Sequence, residues 1–182
     1  MPNHVKNVVK FKNLKSEDDV KFILNMIASP ALTTPTEEII EWMIDFNKII
    51  PEPETEDECP EEYKVNEDSH IRPSDPSDEK PWFNWFNWHI ANWGTKWNAY
   101  DGYTKIGKSY VMFIFSTAWN IAIPVIEKLS ILKYDIDVKY ADEDLGVNCG
   151  TLTYTSEQGW IHKNSLQLTN PYRFARDLWN KY

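Results

Sequence analysis

The chain has 182 residues, 42% hydrophobic and 14% aromatic, with a formal net charge of -9. That is enough apolar material to fill a core and excludes wholesale disorder, while no apolar run approaches the ~20 residues that span a bilayer. The opening residues lack the unbroken apolar core of a secretory signal, and Cys59 and Cys149 form no metal-ligand pattern, so a reduced cytosolic protein is expected.

Residues 4–12 alternate as a strand, with Val5, Val9 and Phe11 on one face and Val8 on the other. Ser16 is placed to cap a helix whose first turn, Glu17, Asp18 and Asp19, suits the positive end of the dipole. Val20, Ile23, Leu24 and Ile27 form its apolar stripe and Pro30 marks its end. "TPTEEIIEWM" predicts a second short helix capped by Thr36, and "IDFNKIIP" a strand that stops at Pro51.

Residues 51–80 carry twelve Asp/Glu against three Lys/Arg, leaving sixteen of each in the rest of the chain. A neutral body therefore bears an acidic, proline-rich insertion with few residues to bury, read as a loop, in part disordered. It is either a solvated linker or a negative arm that competes for a basic, nucleic-acid-binding surface, with Glu54, Glu56, Asp57, Glu58, Glu61 and Glu62 at its centre.

Five of nine tryptophans lie between Pro81 and Tyr103. Pro81 suits the first residue of a helix running to Asn92 or Trp93, with Gly94 as its stop. With Trp82 at 0° on a helical wheel, Trp93, Phe86, Ile90 and Phe83 fall at about 20°, 40°, 80° and 100°, a face expected to cover a sheet. His89 and Trp85 flank that face at about 340° and 300°, His89 as a core histidine bonded to backbone. Trp88, at about 240°, falls outside the face. It is either covered by another segment, such as the insertion, or an exposed anchor for a partner.

Beyond this, "KWNAYDGY" and "SYVMFIFST" read as strands with turns at Gly102 and Gly107, the second buried on both sides. "AIPVIEKLSIL" is a helix, "DIDVKYADED" and "CGTLTYTS" are strands around Gly146, and "NPYRFARDLWNKY" is a helix capped near Asn170 with Phe174, Leu178 and Trp179 inward. The order predicts an α+β, ferredoxin-like βαβ-type sandwich over residues 1–182 as a single domain, with the insertion at 51–80 and a C-terminal helix.

Lys96, Lys105 and Lys108 interleave with Trp97, Tyr100 and Tyr103 as a stacking-and-phosphate surface for RNA, and Arg173 and Arg176, with Lys181, add a second basic patch. The acidic balance of the whole argues against non-specific binding of free nucleic acid. Asp101, Asp142 and Asp144 are the candidates for a divalent-metal site, against the simpler reading of acidic residues before a hairpin turn. His4, His70, His89 and His162 form no paired motif, and there is no Gly-rich phosphate loop, nucleophile elbow or zinc spacing. No cofactor and no autonomous catalytic machinery are expected.

The phrases "MPNHVKNVVKF", "DFNKIIPEP", "NWHIANWGTKWNAYD", "FSTAWNIAIPVIEKLS" and "YADEDLGVNCG" together resemble the YubB-type ferredoxin-like proteins of phages, plasmids and integrated mobile elements. Asn92–Asn98 is the most specific piece, and the insertion and the C-terminal helix are mainly uncovered. In length and style the chain also resembles the anti-CRISPR proteins of streptococcal mobile elements that disable Cas9. The resemblance implies a protein of the bacterial host cytoplasm that binds Cas9 or its guide-RNA complex, with no membrane partner. The guide is then disturbed or exposed to trimming, the insertion approaching a basic channel. The alternatives are an RNA-binding or RNA-processing accessory protein of a mobile element, and an interaction module unrelated to Cas9.

Overall fold

The structure, a computed structural model, describes residues 2–30, 42–65 and 80–182. Strand β1 (His4–Lys12) holds Val5, Val9 and Phe11 at 0% exposure on one face and Val8 at 4% on the other, which suits a strand covered on both sides. Helix α1 (Glu17–Ile27) starts as expected. Ser16 and Asp19 form a reciprocal capping box, and Val20, Ile23, Leu24 and Ile27 are buried.

Strands β2 (Ala28–Pro30) and β3 (Trp42–Ile44) make a small antiparallel pair. The predicted helix capped at Thr36 falls largely outside the described residues, and Trp42 and Met43 at its end belong to β3. The strand predicted over "IDFNKIIP" is instead mostly a one-turn helix, α2 (Phe46–Ile49). Asp45 Oδ1 accepts from the Asn47 backbone N–H at 3.0 Å, and Asn98 Oδ1 accepts from that of Phe46 at 2.9 Å. Side-chain acceptors at the first turn override the strand-like alternation.

Helix α3 (Trp85–Asn92) precedes strands β4 (Tyr100–Gly107) and β5 (Tyr110–Ala118), which form a hairpin. Helix α4 (Ile123–Lys128), strands β6 (Asp135–Asp142), β7 (Cys149–Thr155) and β8 (Gly159–Asn164), and helix α5 (Pro171–Lys181) complete the chain. The main sheet runs β4-β5-β1-β6-β7-β8 and every neighbouring pair is antiparallel. Val9 of β1 faces Phe113 of β5 on one side and Val138 of β6 on the other. The crossovers β1–α1–β4 and β5–α4–β6 thus interleave, which is the ferredoxin-like plan within an α+β class, extended by β7 and β8. Strand β8 was not among the predicted elements: Ile161 is 43% exposed, so half of its alternation carries no burial signal.

Each sheet face has its own core. Val9, Phe11, Phe113, Phe115, Ile136 and Val138 pack with the buried sides of α1, α3 and α4. On the other face Val8, Met112, Ile114, Ala141 and Cys149 meet Ala175 and Leu178 of α5, with Phe174 and Trp179 alongside, as predicted for that helix. Gly102 is not a turn residue. It lies within β4 beside a register shift, where a Cβ would stand 2.8 Å from the Ile114 carbonyl oxygen. No helix among the described residues is long and apolar enough to cross a membrane.

Helix α3 departs most from the wheel. It begins after the Asn84 cap, not at Pro81, so Trp82 and Phe83 lie before its first turn and do not share its angular frame. Trp88 is 5% exposed and His89 8%, whereas Ile90, placed on the inward face by the wheel, is 40% exposed. The buried side is centred roughly a quarter-turn from the predicted stripe. Trp88 is consequently not a surface anchor: its ring packs edge-on to Phe83 and Trp93 in the larger core. The end of the helix is as expected, with Gly94 at φ +77 and its N–H donating to the His89 carbonyl at 3.0 Å.

Candidate functional site

The described part of the insertion, residues 51–65, is folded rather than a solvated loop. It forms two 3₁₀ turns, Glu56–Glu58 and Glu61–Tyr63, and turns Pro53 and Cys59 inward. Lys80 Nζ donates to the Pro53 carbonyl at 2.7 Å, the Val65 N–H to Trp82 O at 2.8 Å, and the Asn84 N–H to Tyr63 O at 2.8 Å. Glu52 accepts from His89, which ties the start of the segment to α3. Residues 66–79, the rest of the acidic stretch, lie outside the described residues.

The consequence is a fixed acidic ridge. Glu54, Glu56, Asp57, Glu58, Glu61 and Glu62 are all exposed. Glu61 pairs with Lys64 at 2.6 Å and Glu58 accepts from the Glu54 N–H at 3.0 Å. Burial, aided by Glu61, Glu56 and Glu62 against Lys64, pushes the Cys59 thiol up, so it serves as a small apolar contact and not as a nucleophile.

The proposed RNA-contact residues separate into distinct places. Lys96 and Trp97, in the turn between α3 and β4, come together with Tyr100 at the start of β4, and Trp97 and Tyr100 stack edge-on with ring centroids 5.9 Å apart. Lys96 Nζ sits 4.8 Å from the Trp97 ring and 5.3 Å from that of Trp119, a residue sequence reasoning did not select. Trp119 is 44% exposed and adopts φ +68, a left-handed backbone that a bulky side chain rarely takes. Its N–H donates to Asn3 O at 2.8 Å, its carbonyl accepts from Asn148 at 3.2 Å, and Phe86 meets its ring edge-on at 6.0 Å. The available signal was a tryptophan directly after a mostly apolar strand, too common a pattern to mark function.

Tyr100 hydroxyl lies 2.6 Å from His4 Nδ1. Burial, with Asp101 and Glu143 nearby, pushes its phenol up to about 12, so it remains a neutral hydroxyl at physiological pH. Lys105 lies at the far part of β4, five residues or roughly 16 Å along the strand. It stands over Tyr103 and Tyr182 at 5.4 and 5.5 Å. Lys108 is in the β4–β5 turn and borders a different hollow with Glu17 and Lys21. Arg173 and Arg176 are exposed on α5 and both engage Asp177, at 3.6 and 3.0 Å, which reduces their charge available to a phosphate.

The metal candidates have structural partners. Asp142 is 5% exposed, and its Oδ1 accepts from the Asp144 N–H at 2.9 Å while Asn148 donates to Oδ2 at 3.4 Å. Asn3 donates to Asp144 at 2.7 Å. Asp101 occupies the irregular start of β4 with φ +46. These bonds close the β6–β7 connection onto the N-terminus, and among the described residues no three or more His, Cys, Asp or Glu are grouped to hold a metal ion. His162 pairs with Glu127 at 3.2 Å, and His70 lies outside the described residues.

No curated protein and no solved structure matches the chain. Residues 92–170, less than half of it, match the family model described as a ferredoxin-like domain in Api92-like protein. That stretch runs from the end of α3 through β8 and agrees with the ferredoxin-like strand order described above.

Proposed function

We infer that the chain is an anti-defence protein that binds Cas9 loaded with guide RNA in the cytoplasm of a bacterial host and prevents productive targeting. The observation that carries this reading is the acidic ridge: six exposed carboxylates held on a folded segment anchored by Pro53, Cys59, Tyr63 and Glu52. A fixed ridge has its ordering cost already met within the fold, so it approaches a cationic channel without that loss. Cas9 holds its guide and target in such channels. The resemblance to streptococcal anti-CRISPR proteins supplies the partner, and the family-model match supports the separate resemblance to ferredoxin-like proteins of mobile elements. The Lys96–Trp97–Trp119 cluster adds a cationic aromatic surface suited to the RNA component.

The test is incubation of the purified chain with Cas9, guide RNA and Mg²⁺, read by pull-down and RNA gel, with parallel lanes lacking Cas9 or magnesium. Retention on loaded Cas9 is expected, and a guide shortened only when Cas9 is present assigns the effect to provoked trimming. No retention on any of a panel of Cas9 orthologs ends this reading.

A second reading, an RNA-binding accessory protein of a mobile element, is favoured by the same Lys96–Trp97–Trp119 cluster taken alone. Retention of RNA at physiological salt without Cas9 selects it.

A further inference from the structure

The sheet face covered by α5 is covered only in part. Beyond the end of that helix lies a hollow of about 480 Å³ with Val8 and Met112 as its floor and Tyr110 and Tyr182 as its walls. Four ammonium groups surround it: Lys10 from β1, Lys105 from β4, Lys139 from β6 and Lys181 from α5. Three stand close to aromatic rings, Lys10 at 4.4 Å from Tyr110, and Lys105 and Lys181 at 5.5 and 5.2 Å from Tyr182. Asp137 is the one side-chain carboxylate among the described lining residues, and its Oδ1 is engaged by Lys12 at 2.8 Å.

Convergence of four like charges is repulsive, and a chain of net charge -9 has carboxylates to spare for neutralising them. Among the described residues, only Asp137 brings a side-chain carboxylate to the groove. The acidic ridge packs on the core of the opposite sheet face. An anion in the groove relieves the repulsion, and two tyrosine rings beside the cations suit a polyanion that also carries flat rings. From β4 to β6 the cations span three strand intervals, about 14 Å, which is the reach of a short single strand. Asp137 Oδ2 repels phosphate but accepts a hydrogen bond from a hydroxyl, a donor that the ribose 2′ position has and deoxyribose lacks.

We propose that this lysine–tyrosine groove binds a short stretch of single-stranded RNA, its phosphates on Lys10, Lys105, Lys139 and Lys181 and its bases against Tyr110 and Tyr182. The site deepens the RNA reading given above as the alternative, and it acts without Cas9.

The measurement is fluorescence anisotropy of an end-labelled oligouridine with the full chain, without Cas9, over a series of salt concentrations. Four phosphate contacts predict a slope of log K against log salt near about -3, and each lysine removed lowers its magnitude by about 0.7. Lys10→Ala with Lys139→Ala is expected to weaken binding at least about tenfold and flatten the slope, and Tyr110→Ala to weaken binding about tenfold with the slope retained. Thermal melting of the lysine variant, whose changes are at the surface, separates lost binding from lost folding. Unchanged affinity and slope in that variant overturn the site. Equal binding of the matching deoxyoligonucleotide, or tighter binding of duplex RNA, overturns the ligand assignment. Because Cas9 is absent throughout, failure here leaves the Cas9 association to its own pull-down.

Discussion

His89 Nε2 lies 2.7 Å from Glu52 Oε1, while His89 Nδ1 lies 2.8 Å from the backbone oxygen of Lys96. One imidazole therefore joins the acidic segment, α3 and the turn bearing the Lys96–Trp97 surface. Both partners carry acceptor oxygens, and the ring turns one nitrogen to each. The ring also stacks on Trp93 at 3.9 Å, which fixes its plane.

Glu52→Gln is expected to destabilise the fold by about 1.5–3 kcal/mol, the worth of a charged hydrogen bond, read as a lower denaturation midpoint. The bond from His89, with Lys80 nearby, holds the Glu52 carboxyl below its ordinary 4.5 against the opposing effect of burial. A depressed carboxyl stabilises fully above its ordinary value and loses that contribution as pH falls through the lowered one. The gap between wild type and variant should close on acidification. A gap that persists in strong acid would show that the bond is not the cause.

The buried Trp88 and the half-exposed Trp119 should behave in opposite ways. Trp88→Ala empties a site at 5% exposure in the larger core and is expected to cost about 3–5 kcal/mol. Trp119→Gly removes a half-exposed ring and relieves a left-handed backbone worth about 1–2 kcal/mol, so its melting temperature should stay near that of wild type. Partner or RNA retention should nevertheless fall in Trp119→Gly. Comparable melting losses in the two variants would contradict this division of roles.

The same contrast explains what could be read in advance. The α1 cap and stripe were legible because the capping box and the four buried residues are local and of one period. Helix α3 was legible at its glycine end but not at its start: Trp82 and Phe83 pack on the larger core while their backbones pair with Val65 and Lys64 of the folded insertion, so they do not continue a helical face. That contact crosses a long stretch of chain, and no periodicity reports it. The Lys96–Trp97–Tyr100 cluster was legible as neighbours in sequence, whereas Trp119 and the lysines of the sheet face converge only through strand register.

Strand order makes a prediction about the matched segment. Residues 92–170 contain β4 through β8 but lack β1, and β5 and β6 each pair with β1 instead of with each other. A fragment of residues 92–170 therefore exposes the inner edges of two apolar strands. It is expected to lack a cooperative thermal transition and to aggregate, whereas the full chain melts cooperatively. A fragment with a sharp transition and a dispersed amide spectrum would mean that β5 and β6 re-pair, and the central role of β1 would be lost.

Neutralising the acidic ridge separates its binding role from its structural one. Glu54, Glu56, Asp57 and Glu62 are exposed, and their carboxylates have no hydrogen-bond or ion-pair partner among the described residues. The contacts that hold the segment run instead through Pro53, Glu52, Tyr63 and Val65. Glu54→Gln, Glu56→Gln, Asp57→Asn and Glu62→Gln together should leave the melting temperature unchanged or raise it, since crowded like charges repel within a screening length of about 8 Å. If the ridge steers the chain into a cationic channel, capture of loaded Cas9 should drop at least about tenfold, mainly through slower association, and lose most of its salt dependence. A quadruple variant that captures Cas9 at the wild-type rate and with wild-type salt dependence would remove the ridge from the interface and shift attention to the Lys96–Trp119 surface.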